Sequence, residues 1–308
     1  VALLALVLGL AAAIYYAQAG LTLSHFDAKG HLVVTRRIAD SITPGWLQLG
    51  AVWLPLPHLI NLLPVQIDFF YRTGAFAVAV SVAAFGLAAW AMASMILRAT
   101  NSRSAAVVAT AVFAANPNVL YLQATPMTEA LFWGLACAAV ACTQTALHAP
   151  SSRTVRHAGL AIAGAVLTRY EAWPICAALF ALSALALARQ GTPWRQNAAL
   201  LARLLLYPAL AIAAFLLLSR ATVGAWFVSS GFFVPDPKTL GKPVEALNAV
   251  WDGLAGLTPE RLAWISLAGL VTPVWIAIRD RQRALDLLPL ALAAAAALPW
   301  FAFYQGHV

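Results

Sequence analysis

FFYRTGAFAVAVSVAAFGLAAWAMASMIL (69–97) holds one charge, Arg72, in a run longer than any soluble helix face requires. About 20 apolar residues cross ~30 Å of hydrocarbon. Backbone polar groups in lipid must pair within their own segment, so this run is expected to be a helix. Similar runs recur outward from it in both directions. Nine spans are expected: 2–20, 69–97, 105–121, 129–147, 158–169, 172–188, 198–218, 261–278 and 284–303. The fifth is short and reads as tilted, broken or joined to the sixth.

Composition agrees with this reading. The 308 residues are 62% hydrophobic and 10% charged, whereas a soluble domain has about a quarter of its residues charged. The fold class is therefore all-α, a polytopic membrane protein. The net charge of +8 is spread over short loops with no basic cluster, which excludes a nucleic-acid partner. Cys137, Cys142 and Cys176 sit inside apolar runs and read as small buried hydrophobes, not a disulfide framework or metal site. Residues 1–308 read as a single membrane domain. An opening at Val1 and a close at FYQGHV make both ends look clipped.

Charge gives the expected orientation. Short loops on one side hold Arg98 and Arg103, Arg153 and Arg156, Arg189 and Arg195, then Arg279, Arg281 and Arg283. The positive-inside rule puts these loops in the cytoplasm. Asp280 and Asp286 are the acids near that side. Asp27, Asp40, Asp68, Glu129, Glu171, Asp236, Glu245, Asp252 and Glu260 fall on the other. Because the rule weighs Lys and Arg, the acid asymmetry is an independent sign.

Two outer segments are long. In 21–68, the stretch WLQLGAVWLPLPHLINLLP (46–64) has Trp anchors at interface depth, and Pro55, Pro57 and Pro64 forbid one spanning helix. In 219–260, Pro235, Pro237, Gly241 and Pro243 predict a loop. Leu247, Val250, Trp251, Leu254 and Leu257 then predict an interfacial amphipathic helix.

The chemistry-bearing residues lie at the outer ends of these runs. FDAKGHLVVTRRIAD, read at helical spacing, places Asp27, His31, Val34 and Ile38 on one face, with Thr35 beside it. Asp27 and His31 form an i, i+4 pair. Asp27 reads as a general base for a hydroxyl, against the competing role of helix N-cap. Lys29, His31 and His58 are candidate substrate ligands. Glu129, in NPNVLYLQATPMTEALFW (116–133), is either a first-turn helix acid or a substrate ligand at the bundle mouth. In LTRYEAWP (167–174), Arg169 and Glu171 read as a turn's ion pair or as a phosphate site. Arg220 is a weaker candidate of the same kind. Walker, dinucleotide, zinc-protease and nucleophile-elbow motifs are missing from the sequence.

Together, FDAKGH after the first span, the interfacial TPGWLQLGAVWLPLPHLINLLP, TPMTEALF and LTRYEAWP resemble the GT-C superfamily of membrane glycosyltransferases. The likeness is to the branch of protein O-mannosyltransferases and aminoarabinose-lipid A transferases. The resemblance implies a polyprenyl-phosphate sugar donor, a lipid, glycan or protein acceptor, and catalysis on the extracytoplasmic side of the plasma (inner) membrane. It implies Asp27 as the base. The family often has two adjacent acids there; Ala28 follows Asp27 here, which leaves a second acidic role to Glu129 or Glu171. No cofactor is required by this scheme, and a divalent cation is compatible with it but not called for. A transporter or flippase of a lipid-linked or anionic substrate is the rival reading, and a membrane scaffold the third. Transporters place binding residues near the midplane, whereas these ionisable groups cluster at span ends.

Overall fold

The computed structural model describes residues 1–50, 52–191, 193–226 and 235–306. Its helices are α1 (Ala2–Gln18), α2 (Phe26–Arg37), α3 (Pro55–Asn61), α4 (Asp68–Thr73), α5 (Ala75–Thr100), α6 (Arg103–Ala114) and α7 (Pro117–Gln123). They continue with α8 (Glu129–His148), α9 (Ser152–Val166), α10 (Ala172–Arg189), α11 (Trp194–Thr222), α12 (Pro243–Leu257), α13 (Glu260–Arg279) and α14 (Ala297–Tyr304). Three 3₁₀ segments, Trp46–Gln48, Pro64–Gln66 and Arg281–Ala296, complete the list. No strand occurs among the described residues, so the all-α expectation holds.

Among the described residues, six helical segments are long and apolar enough to cross a bilayer: α5, α8, α10, α11, α13 and the continuous stretch Arg281–Tyr304. A seventh arises if α6 and α7, bent by 67°, count as one. The protein is thus a multi-pass membrane protein, with fewer such helices than the nine runs suggest. The differences have local causes. Asn116 caps α7 by accepting from the Asn118 and Val119 N–H groups, and Pro117 takes the first position, which breaks the expected third span. The expected fifth span is α9, whose 15 residues reach about 22 Å at 1.5 Å per residue. A Ser151–Thr154 capping box starts it among Arg153, Arg156 and His157. Val155, Ala158, Ile162 and Ala165 then give it one buried stripe. α1 is apolar but 17 residues long, short of that set.

The chain clusters into two compact units, residues 1–169 with 203–228, and 170–202 with 229–308. In the first, α5 packs on α8, α8 on α9, and α1 on α5. Small residues permit this approach. A Cβ on Gly134 would stand 2.6 Å from the Ala84 carbonyl oxygen, so α8 and α5 touch backbone to backbone. Gly74 (φ +69) ends α4 in the left-handed region, and a Cβ there would also lie 2.6 Å from the Pro126 ring.

In the second unit, α10 and α13 both pack on the 281–296 segment, and α12 packs on α14. The helix expected late in the second outer segment is α12, opened by Pro243 at its first turn. The loop before it, from Pro235 on, is tied down by Asp236 N–H to Gly306 O and Gly241 N–H to Tyr304 O, at 2.8 and 2.9 Å. Residues 227–234 of that expected loop lie outside the described residues.

Backbone contact at Gly134 makes a sharp test. Gly134→Ala is expected to lower the unfolding midpoint in detergent, at a cost of roughly 1–3 kcal/mol, because no flexible side chain can yield. Gly253→Ala on α12, where a Cβ meets nothing within 4 Å, is expected to be neutral or stabilising. An unchanged midpoint for Gly134→Ala would contradict the packing.

Candidate functional site

Most of the first unit's candidate side chains gather at one end of it. α8 begins there with Glu129 and ends, 20 residues on, beyond Thr145. At 1.5 Å per residue the two ends are about 30 Å apart. At the far end the Arg98 guanidinium donates to Thr145 Oγ1 at 2.8 Å. At the Glu129 end, α2, α3 and α4 form a layer of short helices. Leu56 N–H donates to Leu167 O at 2.9 Å, which docks the start of α3 onto the end of α9. Ser81 Oγ donates to Thr125 O at 3.2 Å, holding the turn before α8 against α5.

Arg169 crosses to α8. Its Nη1 donates to Glu129 Oε1 at 2.7 Å and to Thr128 Oγ1 at 3.1 Å. Both side chains of this ion pair are largely covered, at 29% and 18% exposure. The sequence offered Arg169 and Glu171 as a turn's pair; Arg169 also takes Glu129, the first residue of α8. The other carboxylate oxygen, Glu129 Oε2, is buried without a hydrogen-bond partner among the described residues.

Beside this pair lie two buried histidines. His31 on α2 and His58 on α3 are 7% and 1% exposed, with ring centroids 5.2 Å apart. Trp53 leans on His31 at 4.3 Å and stacks on His58 at 5.8 Å. It reaches α2 because residue 30 is glycine: a Cβ there would lie 2.8 Å from the indole ring. Thr35 Oγ1 joins both, donating to the His31 carbonyl at 2.6 Å and meeting His58 Nδ1 at 2.7 Å.

Burial sets the charge of both rings. It pushes His31 down to about 3, helped by the nearby His58, Arg169 and His25. It takes His58 down to about 4, partly offset by a hydrogen bond to the His31 backbone. Both imidazoles are neutral at pH 7, so they act as hydrogen-bonding groups rather than as cations.

Asp27 sits in the first turn of α2, partly exposed. Its carboxylate makes no hydrogen bond or ion pair among the described residues, to His31 or to any other group. The helix cap is His25, whose Nδ1 accepts from Asp27 N–H at 3.1 Å. The N-cap role weighed for Asp27 is therefore filled two residues earlier. Lys29 is exposed on the same helix.

Further out, Arg36 donates to Asp40 at 3.0 Å and to Asp68 at 2.6 Å, and its guanidinium lies 4.6 Å from the Tyr71 ring centroid. That ties α2 to α4 and holds the Asp68 carboxyl below its ordinary range.

Two candidates remain. Arg220, exposed at the end of α11, donates to the Gly224 carbonyl and stands 6.0 Å over Trp226. Glu171 precedes α10 and belongs to the second unit. No cluster of three or more His, Cys, Asp or Glu side chains suited to a metal occurs among the described residues. Sequence reading missed Thr35 and Trp53 as partners of the histidines. The i, i+4 spacing of His31 and Thr35 was the available signal.

The chain matches no protein-family model, no curated protein and no solved structure.

The histidines fix a pH dependence. Their folded pKa values lie below the unfolded value of 6.5, so between them the unfolded chain binds more protons. Stability from this source is complete above about pH 6.5 and falls as pH drops toward 4 and then 3, by up to about 1.4 kcal/mol per pH unit per histidine. Unfolding midpoints in detergent are expected to fall between pH 7.5 and 5, and less steeply in a His31→Asn/His58→Gln variant. Parallel slopes for the two proteins would contradict the assignment.

Proposed function

We propose that the protein is a GT-C-type glycosyltransferase. It moves a sugar from a polyprenyl-phosphate donor to the hydroxyl of a lipid, glycan or protein acceptor at the outer face of the plasma membrane. The observation that carries this reading is the unpartnered Asp27 carboxylate, partly exposed on a helix whose buried face is locked to α3. A base needs a free lone pair at a fixed place, and other carboxylates of this end, Glu129, Asp40 and Asp68, are engaged by arginines.

In the reaction, Asp27 takes the proton of the acceptor hydroxyl as its oxygen attacks the anomeric carbon. The bond from that carbon to the phosphate oxygen breaks, and the electron pair leaves with the polyprenyl phosphate. Attack opposite the leaving group inverts the anomeric centre. Phosphate leaves without a strong acid, so the remaining need is positive charge for the departing group. Lys29, exposed two residues beyond Asp27, supplies it in this scheme, with Arg169 held ready by Glu129. The sidedness rests on the arginine loops, which the positive-inside rule assigns to the cytoplasm.

The test is transfer of radiolabelled sugar from polyprenyl-phosphate donors in membranes. Asp27→Asn is expected to lower transfer by about 100-fold or more with an unchanged unfolding midpoint, since the carboxylate supports no contact. Normal transfer by that variant at wild-type expression would overturn the proposal. Uptake of a lipid-linked or anionic substrate into proteoliposomes, with no glycosyl product, would instead make the protein a transporter.

A further inference from the structure

Thr35 decides where the proton of His58 sits. Its hydroxyl oxygen is 2.6 Å from the His31 carbonyl oxygen. Two oxygens approach that closely only with a hydrogen between them, so the single hydroxyl proton is committed to His31 O. Thr35 Oγ1 must then accept from His58 Nδ1, 2.7 Å away. His58 is neutral and carries its proton on Nδ1. Its Nε2 is consequently a bare lone pair, buried and without a hydrogen-bond partner among the described residues.

His31 adds a second such atom. Its Nδ1 is also buried and unpartnered among the described residues. Both rings, with Thr35 and Asn61, line one small cavity that Leu32, Pro57, Ala77 and Pro126 also line. Asn61 spends an amide proton on the Pro57 carbonyl at 2.8 Å, leaving its Oδ1 as an acceptor. Burying polar atoms unpaired is costly, and the rings have no charge with which to compensate.

We infer that this cavity is a binding site for one neutral hydroxyl donor, a single buried water, held between His58 Nε2 and His31 Nδ1. The water donates one proton to His58 Nε2 and its oxygen accepts Nδ1–H of His31. Its second proton is left for Asn61. Three partners is the usual number for a buried water. Size agrees: the free volume is about 10 Å³, at the threshold of roughly 10–15 Å³ for one water and too little for a larger ligand. A cation is disfavoured, because Arg169 already raises the positive potential at His31 and two imidazoles are the whole ligand set. The water completes a chain running Thr35–His58–water–His31, which fixes both tautomers and the register of α2 on α3. This does not rest on the transfer reaction.

Histidine nitrogen NMR of the intact protein in micelles reads the chain directly, with exposed His25 as the internal reference. His58 is expected as the pure Nδ1–H tautomer from pH 8 to 5, and its ring proton beside Nε2 is expected to show a cross-peak to a long-lived water. Thr35→Val removes the side-chain acceptor of Nδ1–H, leaving the His31 carbonyl alone, and is expected to raise the Nε2–H fraction, while Thr35→Ser restores the single form. An Nε2–H tautomer in the wild-type protein, or water contact no longer-lived than at His25, would overturn the inference without any variant. Neither result bears on whether the protein transfers sugar.

Discussion

An arginine and a glutamate, 2.7 Å apart at the mouths of two neighbouring helices, set the level on which the rest of the first unit is arranged. Neither Arg169 nor Glu129 is free to sink into an apolar bundle, because an ionisable group in hydrocarbon is costly. Pairing lets both remain largely covered. The start of α8 and the end of α9 are thereby held together, and the Leu167 carbonyl just beyond α9 is placed to receive Leu56 N–H from the α3 layer.

The contacts within the layer differ greatly in weight. The Arg36 bonds to Asp40 and Asp68 join exposed carboxylates, where water and salt screen an ion pair until little net stability remains. The Thr35–His58 bond lies between groups that are 1% exposed. There each unmade hydrogen bond exposes a desolvation cost of about 1–3 kcal/mol. Buried polar groups therefore fix how α2 lies, and surface charges decorate the result. Asp27 benefits from this division: its helix is rigidly placed, yet its own carboxylate takes no part in the placement.

Much of the fold was legible in the chain because lipid imposes a simple demand, long apolar runs folded as helices. The run at 69–97 became α5 from Ala75 on, its first turn splitting off as the end of α4 at left-handed Gly74, and 129–147 became α8. Legibility failed where length and breaks decide. Ala2–Gln18, Ser152–Val166 and the α6–α7 pair are apolar enough to resemble spans, but a capping box at Ser151 and an Asn116–Pro117 start cut two of them short. Within the site, Glu129, Arg169, His31 and His58 were named from their positions at helix ends. Their pairings were not, because partners such as Arg169 and Glu129 are 40 residues apart. Thr35 passed as a neighbour of a polar face, since nothing local reveals that His58 arrives from another helix. The capping duty considered for Asp27 went to His25, a residue type seldom credited with it.

The proposed orientation puts the polar end carrying Asp27 at the cell exterior, opposite the end where Arg98 meets Thr145. Single cysteines at positions 27 and 98, in a background lacking Cys137, Cys142 and Cys176, report this directly through a membrane-impermeant thiol reagent applied to intact cells. Asp27→Cys is expected to be labelled from outside and Arg98→Cys only after the membrane is opened. Labelling of Arg98→Cys on intact cells, with Asp27→Cys protected, would contradict it.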